Sequence, residues 1–348
     1  MKTPTVAAGL ARSFLEYSVA QGAPLTALLA GSGLRSEALT DQDARIPLAN
    51  YQALIGCAIE IIADDALPLR YCIDTRLETV SIVGLIVHSS ASMADSLEQL
   101  NRYGRLMVEV DVMQQGERFS VNAEKGEVWI TDNRPDPNSF PALTEIAFGR
   151  FIGEFRRHFP ETPFAIALDV THAKPRHASA YQEILQVPVR FSCARNAMRI
   201  DPAWLNTTFD NESAYVFGVF ADRADALMAQ LDRDKTIKGR IERHLLGILH
   251  RGDVTMDDVA SDLGMSRQTL YRRLREEQVT FAAIHDELRH RMAIDYLNAR
   301  KASVNQVAYL LGFSEASSFT RAFKRWTGKT PIEAREDFGL VGLSKPTT

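Results

Sequence analysis

Residues 308–331 read AYLLGFSEASSFTRAFKRWTGKTP. The spacing predicts a short apolar helix ending at Leu310, Leu311 and Gly312, a tight turn through Phe313 and Ser314, and a second helix carrying Phe319, Phe323 and Trp326. Gly312 stands where the chain reverses, a place for a residue free to take positive φ. At about 100° per residue, Phe319, Phe323 and Trp326 fall on one stripe about 60° wide, a buried face. Opposite that stripe lie Ser317, Thr320, Arg321 and Lys324, none of them apolar. Two short helices, a glycine turn and a polar, basic outer face make a helix-turn-helix reader of DNA.

The unit occurs twice. Val259, Ala260, Leu263, Gly264 and Ser266 precede Val307, Ala308, Leu311, Gly312 and Ser314 by 48 residues. Within the second helix the offset becomes 49: Leu270 and Leu274 match Phe319 and Phe323, so the downstream turn is one residue longer. On the outer face Gln268, Tyr271, Arg272 and Arg275 match Ser317, Thr320, Arg321 and Lys324. A repeat of both buried and exposed positions marks a duplicated supersecondary unit rather than two ordinary solvated helices.

Gly312 and Phe313, then Ser317, Phe319, Arg321, Phe323 and Lys324, then Gly328, Thr330 and Pro331 resemble the C-terminal pattern of AraC/XylS-type transcription regulators. Upstream, MSRQTLYRRL from Met265 to Leu274 is similar to the family's first recognition helix. The likeness is strong over residues 236–335. It implies a seven-helix domain in which a long helix, here about 281–300 with Ile284, Leu288, Met292 and Leu297 on its apolar side, joins two helix-turn-helix units at about 255–277 and 303–326. The partner so implied is double-stranded promoter DNA, with RNA polymerase beside it, read by a ligand-responsive activator.

Length fits two domains: 1–231 for effector binding or dimerisation, a charged linker at 232–237, the DNA-binding domain at 238–337 and a tail at 338–348. The net charge of −4 is unevenly spread. Residues 236–335 hold 17 basic and 12 acidic residues, net +5, and the other 23 basic and 32 acidic residues leave −9. Polyanion contact is therefore expected in the C-terminal third. The apolar run at Val83–Val87 is too short to span a bilayer, and the N-terminus has no sustained apolar segment, so neither membrane nor secretion is expected. Three widely spaced cysteines, Cys57, Cys72 and Cys193, suit a reducing cytoplasm and buried thiols.

The fold class expected is an α+β N-terminal domain, helices plus a small mostly antiparallel sheet, joined to an all-α C-terminal domain. Helices are read at 5–21, 24–30, 47–63, 92–106, 138–159, 179–185 and 212–233. Strands are read at 108–114, 117–123 and 127–131 with turns at Gln115–Gly116 and Lys125–Gly126, and again at 164–170, 189–192 and 197–200. LEQLNRYGRL (97–106), Pro163, Phe164, Ile166 and Leu168, YQEILQVPVRF (181–191) and NAMRID (196–201) resemble the N-terminal effector domain of a non-cupin branch of the same regulators. That resemblance implies small-molecule binding or homodimerisation. The helix content departs from the sugar-binding cupin members, so an arabinose-type ligand does not follow.

No phosphate loop, nucleophile elbow, cofactor motif or metal motif is present, and no enzyme is expected. His172 and His177 are five apart across a proline, unlike a helical metal pair, and read as solvated or capping. Arg150, Arg156 and Arg157 read as a solvated helix face with an anionic effector as the sharper alternative, and Asp286 with His290 as a surface pair. Cys193, in FSCAR, lacks the Pro-Cys-His setting that a fused repair methyltransferase needs. A constitutive binder whose N-terminal domain only dimerises is the remaining rival. For DNA, Arg272 and Arg321 are expected on guanine and Gln268 on adenine. Ser317 and Thr320 suit short polar or methyl contacts, and Tyr271 shares this face. Arg267, Arg275, Lys324 and Arg325 are expected on phosphates.

Overall fold

The computed structural model describes residues 4–110, 117–124, 126–209, 214–252, 254–299 and 302–335. The chain forms two compact units, 1–229 and 230–348.

The first unit opens with strand β1 (Thr5–Ala7), antiparallel to β2 (Arg45–Pro47), and helix α1 (Ala8–Ala20). The expected helix starts three residues late because Val6 is fully buried and pairs with Ile46 in a ladder. Helix α2 (Leu25–Ser32) ends at Gly33, φ 66°, and α3 (Leu48–Ile62) starts directly after Pro47. Phe14, Leu28, Tyr51, Leu54 and Ile55 knit these elements into a first core.

Two short helices, α4 (Leu67–Asp74) and α5 (Ile82–His88), follow, and neither is expected from the sequence. Their lengths of 8 and 7 residues and their burial leave too little period to read. Ser92 caps α6 (Met93–Met107) by accepting the Asp95 N–H.

Strands β3 (Phe119–Glu124) and β4 (Glu127–Asp132), helix α7 (Ala142–His158), β5 (Ala165–Asp169), helix α8 (Ala178–Leu185), β6 (Val189–Arg190) and β7 (Ala197–Ile200) complete a sheet ordered β3-β4-β7-β5-β6. All its pairings are antiparallel except β5–β6. In place of the strand read from 108, Val108 makes a single bridge to Val6; Asp111–Gln114, the Gln115–Gly116 turn and Lys125 lie outside the described residues. Phe148, Ile152, Leu168, Tyr181, Met198 and Trp204 form the second core. Here the Cys72 sulfur fills the notch over Gly149, where a Cβ would lie 2.3 Å from it. Cys57 and Cys193 are half-buried rather than buried, and all three thiols are free.

Helix α9 (Ala214–Lys235) continues through 232–235, where the charged run suggests a linker. Charged side chains are compatible with a solvated helix, and no Gly or Pro stands within 232–235 to end this one. Thr236 then caps α10 (Ile237–Ile248), accepting the Gly239 N–H.

The second unit continues with α11 (Met256–Asp262), α12 (Arg267–Glu276), α13 (Phe281–Ala299), α14 (Val304–Leu310) and α15 (Ala316–Thr327), and is helical again at 331–335. Leu270, Leu274, Ile284, Leu288, Leu297, Leu311, Phe319 and Phe323 are all at most 3% exposed and share one core. Trp326 is half-buried at its edge, against His290 and Phe313.

Candidate nucleic-acid interface and effector cavity

Each helix-turn-helix unit starts with a capping box. Thr255 and Asp258 exchange side chain-to-backbone hydrogen bonds at the start of α11, and Ser303 and Gln306 do the same for α14. Each then turns on a glycine in the left-handed region, Gly264 at φ 68° and Gly312 at φ 75°. Ser266 caps α12 through the Thr269 N–H, whereas Glu315 stands before α15 with no side-chain cap. Instead its carboxylate receives the Ser317 hydroxyl at 3.0 Å.

An arginine from the preceding helix holds each first helix at its C-terminal end. Arg289 on α13 donates to the carbonyls of Leu311 (2.9 Å) and Gly312 (3.2 Å) and lies 4.7 Å over the Phe313 ring. Arg240 on α10 makes the equivalent, longer bond to Leu263 at 3.5 Å. The positively charged fork completes carbonyls that a helix end leaves orphaned.

With Leu270, Leu274, Phe319 and Phe323 inside, the outward positions are free of the core. Arg267, Gln268, Tyr271, Arg272 and Arg275 are exposed on α12, and Ser317, Arg321, Lys324 and Arg325 on α15. Tyr271 is 64% exposed, a large ring left in solvent on an otherwise polar helix face. Some of these groups are engaged within the chain. Arg267 pairs with Asp257 at 2.8 Å, Arg272 lies 3.7 Å from Glu276, and Arg325 pairs with Asp286 at 2.7 Å. Such exposed pairs hold weakly and yield to a phosphate or base at little cost.

Two expectations change. Thr320 is half-buried and its hydroxyl donates to the Ala316 carbonyl at 2.8 Å, so that hydroxyl proton is engaged within the helix. Asp286 pairs with Arg325 rather than with His290, whose ring instead lies 5.5 Å from that of Trp326.

The first unit holds a cavity of about 310 Å³. Leu97, Leu100, Phe119, Ile146, Phe151 and Phe155 are among its apolar walls, and Arg118, Arg134 and Arg150 also line it. Nε of Arg118, Nε of Arg134 and Nη2 of Arg150 are buried and have no hydrogen-bond partner among the described residues. Arg150 is buried, not solvated: Nη1 donates to the Thr75 carbonyl and hydroxyl, both at 2.8 Å, and the guanidinium lies 5.0 Å over the Tyr71 ring. Nε of Arg118 lies 3.6 Å from Asp132, too far for a hydrogen bond. Burial lowers the Arg134 pKa, Asp132 pulls it back and Arg118 lowers it again.

Arg156 and Arg157 are also tied inward. Arg156 donates to the Ile184 and Leu185 carbonyls, and Arg157 to Glu154 at 3.0 Å and to the Ile73 carbonyl at 2.8 Å. His172 is buried rather than solvated, bonded to Tyr181 at 3.2 Å, and His177 meets Glu145 at 3.1 Å. Tyr181 donates to the same Glu145 oxygen, so these groups satisfy one another at the junction of α7 and α8.

The family model for the arabinose-binding domain of AraC transcription regulators, N-terminal, matches residues 22–209, and a helix-turn-helix domain model matches 259–337. The chain belongs to the AraC family of transcription regulators. It is 24% identical to the ornithine utilization regulator of Pseudomonas aeruginosa over 94% of this chain and 95% of that one. It is 31% identical to the transcriptional activator NphR of a Rhodococcus species over 30% of this chain and 31% of that one. Among solved structures, the transcriptional regulator CdpR of Pseudomonas aeruginosa matches 93% of this chain and 97% of its own at 21% identity and a TM-score of 0.41.

This AraC-family regulator is a DNA-binding protein, and the exposed polar faces of α12 and α15 repeat one short pattern of the sequence. Its clamping arginines, Arg240 and Arg289, were missed, although they repeat with the same offset of 49 as the recognition helices. Arg118 and Arg134 were missed as well. They flank β3 and β4 and meet Arg150 of α7 only in three dimensions.

Proposed function

We propose that this regulator reads two successive major-groove segments, inserting α12 in one and α15 in the next, about 34 Å apart along one face of the duplex. The observation that carries this reading is the duplicated exposed face: Gln268, Tyr271, Arg272 and Arg275 on α12, and Ser317, Arg321 and Lys324 on α15. Arg272 and Arg321 lie about 200° around their helices from Leu270 and Phe319, and there a guanidinium donates two bonds to guanine O6 and N7. Gln268 suits adenine, and the Thr320 methyl suits the methyl of thymine. Arg267, Arg275, Lys324 and Arg325 hold phosphates and fix register. One protomer then reads a site without internal palindromy, and a homodimer reads two.

Binding measured over a panel of operator variants tests the roles. Arg272→Ala costs about 1–3 kcal/mol at one base position and relaxes preference there. Lys324→Ala weakens all sequences alike and reduces the salt slope by about one. Equal, uniform losses from both would overturn the assignment.

The reading extends to a ligand-responsive activator acting in the cytoplasm with RNA polymerase. One relative's name is that of an activator and another's that of a regulator of ornithine utilization. An apolar cavity with three unpaired guanidinium nitrogens favours an effector over a domain that only dimerises. Its chemistry suits a compact apolar acid, carboxylate toward the arginines.

A further inference from the structure

At the end of α5 and the last turns of α7, three donors of metal-ligating type converge. Nε2 of His88 lies 2.8 Å from Nε2 of His158 and 3.5 Å from Oε2 of Glu154, and Nε2 of His158 lies 3.8 Å from the same oxygen. Ligand atoms bound at about 2.0–2.1 Å to a tetrahedral zinc ion stand about 3.3 Å from one another. The three separations bracket that value, so closing on an ion takes only small side-chain movements.

The surroundings suit the same role. Nδ1 of His88 lies 2.9 Å from the Gly84 carbonyl, which can only accept, so in the neutral ring the proton sits there and Nε2 presents its lone pair outward. Glu154 and His158 stand one helical turn apart on α7, which aims two donors at one point. Oε1 of Glu154 receives the Leu77 N–H at 2.9 Å, and Oε2 receives Arg157 at 3.0 Å, contacts that orient the carboxylate and leave a lone pair on Oε2. A fourth donor is at hand. Oε2 of Glu78 is buried, has no hydrogen-bond partner among the described residues, and lies 3.8 Å from Nε2 of His88.

We propose that His88, Glu154 and His158, with Glu78 as fourth donor, bind a divalent transition-metal ion of the zinc class. Two imidazole nitrogens argue against the hard cations Ca2+ and Mg2+, which take oxygen ligands. The nearby cations are Arg157, which remains on Glu154 as an outer partner, and Arg76, exposed and 3.8 Å from the other Glu78 oxygen. A bound ion ties α5 to α7. Because His88, Glu154 and His158 also line the cavity, it lies at the boundary of the space assigned to the effector.

The test uses the full chain, freed of metal with a chelator and without DNA, so that it is independent of operator reading. Zn2+ is titrated by calorimetry and by thermal melting, with Co2+ as the coloured probe. One equivalent of Zn2+ is expected to bind and raise the melting temperature, Co2+ to give the intense visible bands of a four- or five-coordinate site, and Ca2+ and Mg2+ to do neither. His158→Asn, at a side chain 41% exposed, and Glu78→Gln should each weaken Zn2+ by at least about tenfold, the lower bound for loss of even an outer partner. A wild-type isotherm matching that of the His88→Gln/His158→Asn double variant would show that neither imidazole holds the ion and would overturn the site. Should the double variant not fold, a wild-type Co2+ spectrum equal to that of the aqueous ion overturns it alone.

Discussion

Gly312 and Gly264 occupy equivalent turns with nearly the same φ, but their surroundings differ. A Cβ at Gly312 would lie 2.2 Å from the Leu249 carbonyl oxygen and 2.9 Å from Gly252 Cα, while at Gly264 it would meet nothing within 4 Å. Both alanine substitutions incur a left-handed penalty of about 1–2 kcal/mol. Gly312→Ala must also push aside backbone that belongs to the core, so chemical denaturation should show a loss for it of at least about twice that for Gly264→Ala. Equal losses would mean that the close approach carries no weight. A second residue sets a pH response. Burial pushes the pKa of His285 down to about 4 and Arg289 adds to the push, with Asp286 opposing. As pH falls below about 6.5 the unfolded chain takes up this proton before the folded one. The stability tied to the neutral ring is thus complete above that value and is lost as pH falls through about 4. For a half-buried ring the loss is about 1–2 kcal/mol. His285→Gln should flatten the melting temperature between about pH 7 and pH 4.5 relative to the wild type, and unchanged curvature would refute it.

Helices α12 and α15 were legible because a strict 3.6-residue pattern, repeated with its exposed face, leaves few alternatives, and Thr255 and Ser303 mark the start of each unit. Helices α4 and α5 were not legible, because two turns that are mostly buried, with only Arg70 and Asp74 exposed, show too little of a polar face to set a period. The end of α9 misleads for the opposite reason, since charge density resembles a linker while the backbone has no cause to break. The energetic weight of the legible pattern can be measured. Phe323, fully buried, should cost about 3–5 kcal/mol on truncation to Ala. Phe323→Asp and Leu274→Asp would bury an unpaired carboxylate and unfold their unit. An aspartate variant with unchanged circular dichroism and melting temperature would contradict the burial.

At the scale of the whole molecule the charge is segregated, basic in residues 236–335 and acidic elsewhere, which confines phosphate attraction to the DNA-reading third despite a net charge of −4. The arginine-lined cavity was the least legible feature. Arg118, Arg134 and Arg150 lie on three separate segments, and no local period relates them. In the sequence Arg150 is one of three arginines on a helix, and its burial depends on Tyr71 and Thr75, far away in sequence. Its role is testable in the intact regulator. Small apolar monocarboxylates that raise the melting temperature of the wild type should lose that effect in Arg150→Met. For the wild type at about one hundred times the dissociation constant, the stabilisation amounts to about 2.7 kcal/mol. An undiminished shift in the variant would remove Arg150 from the effector site.

The thiol seated over Gly149 gives the molecule a built-in clock. Burial raises the Cys72 pKa to about 12, with Arg150 pulling against it, and no alkylating reagent can reach a sulfur packed against helix backbone. Cys57 and Cys193 should be labelled at once, while the third equivalent waits for α4 and α7 to part. The lag between second and third labels therefore counts spontaneous openings of the first unit, and any compound that settles into the cavity should lengthen it.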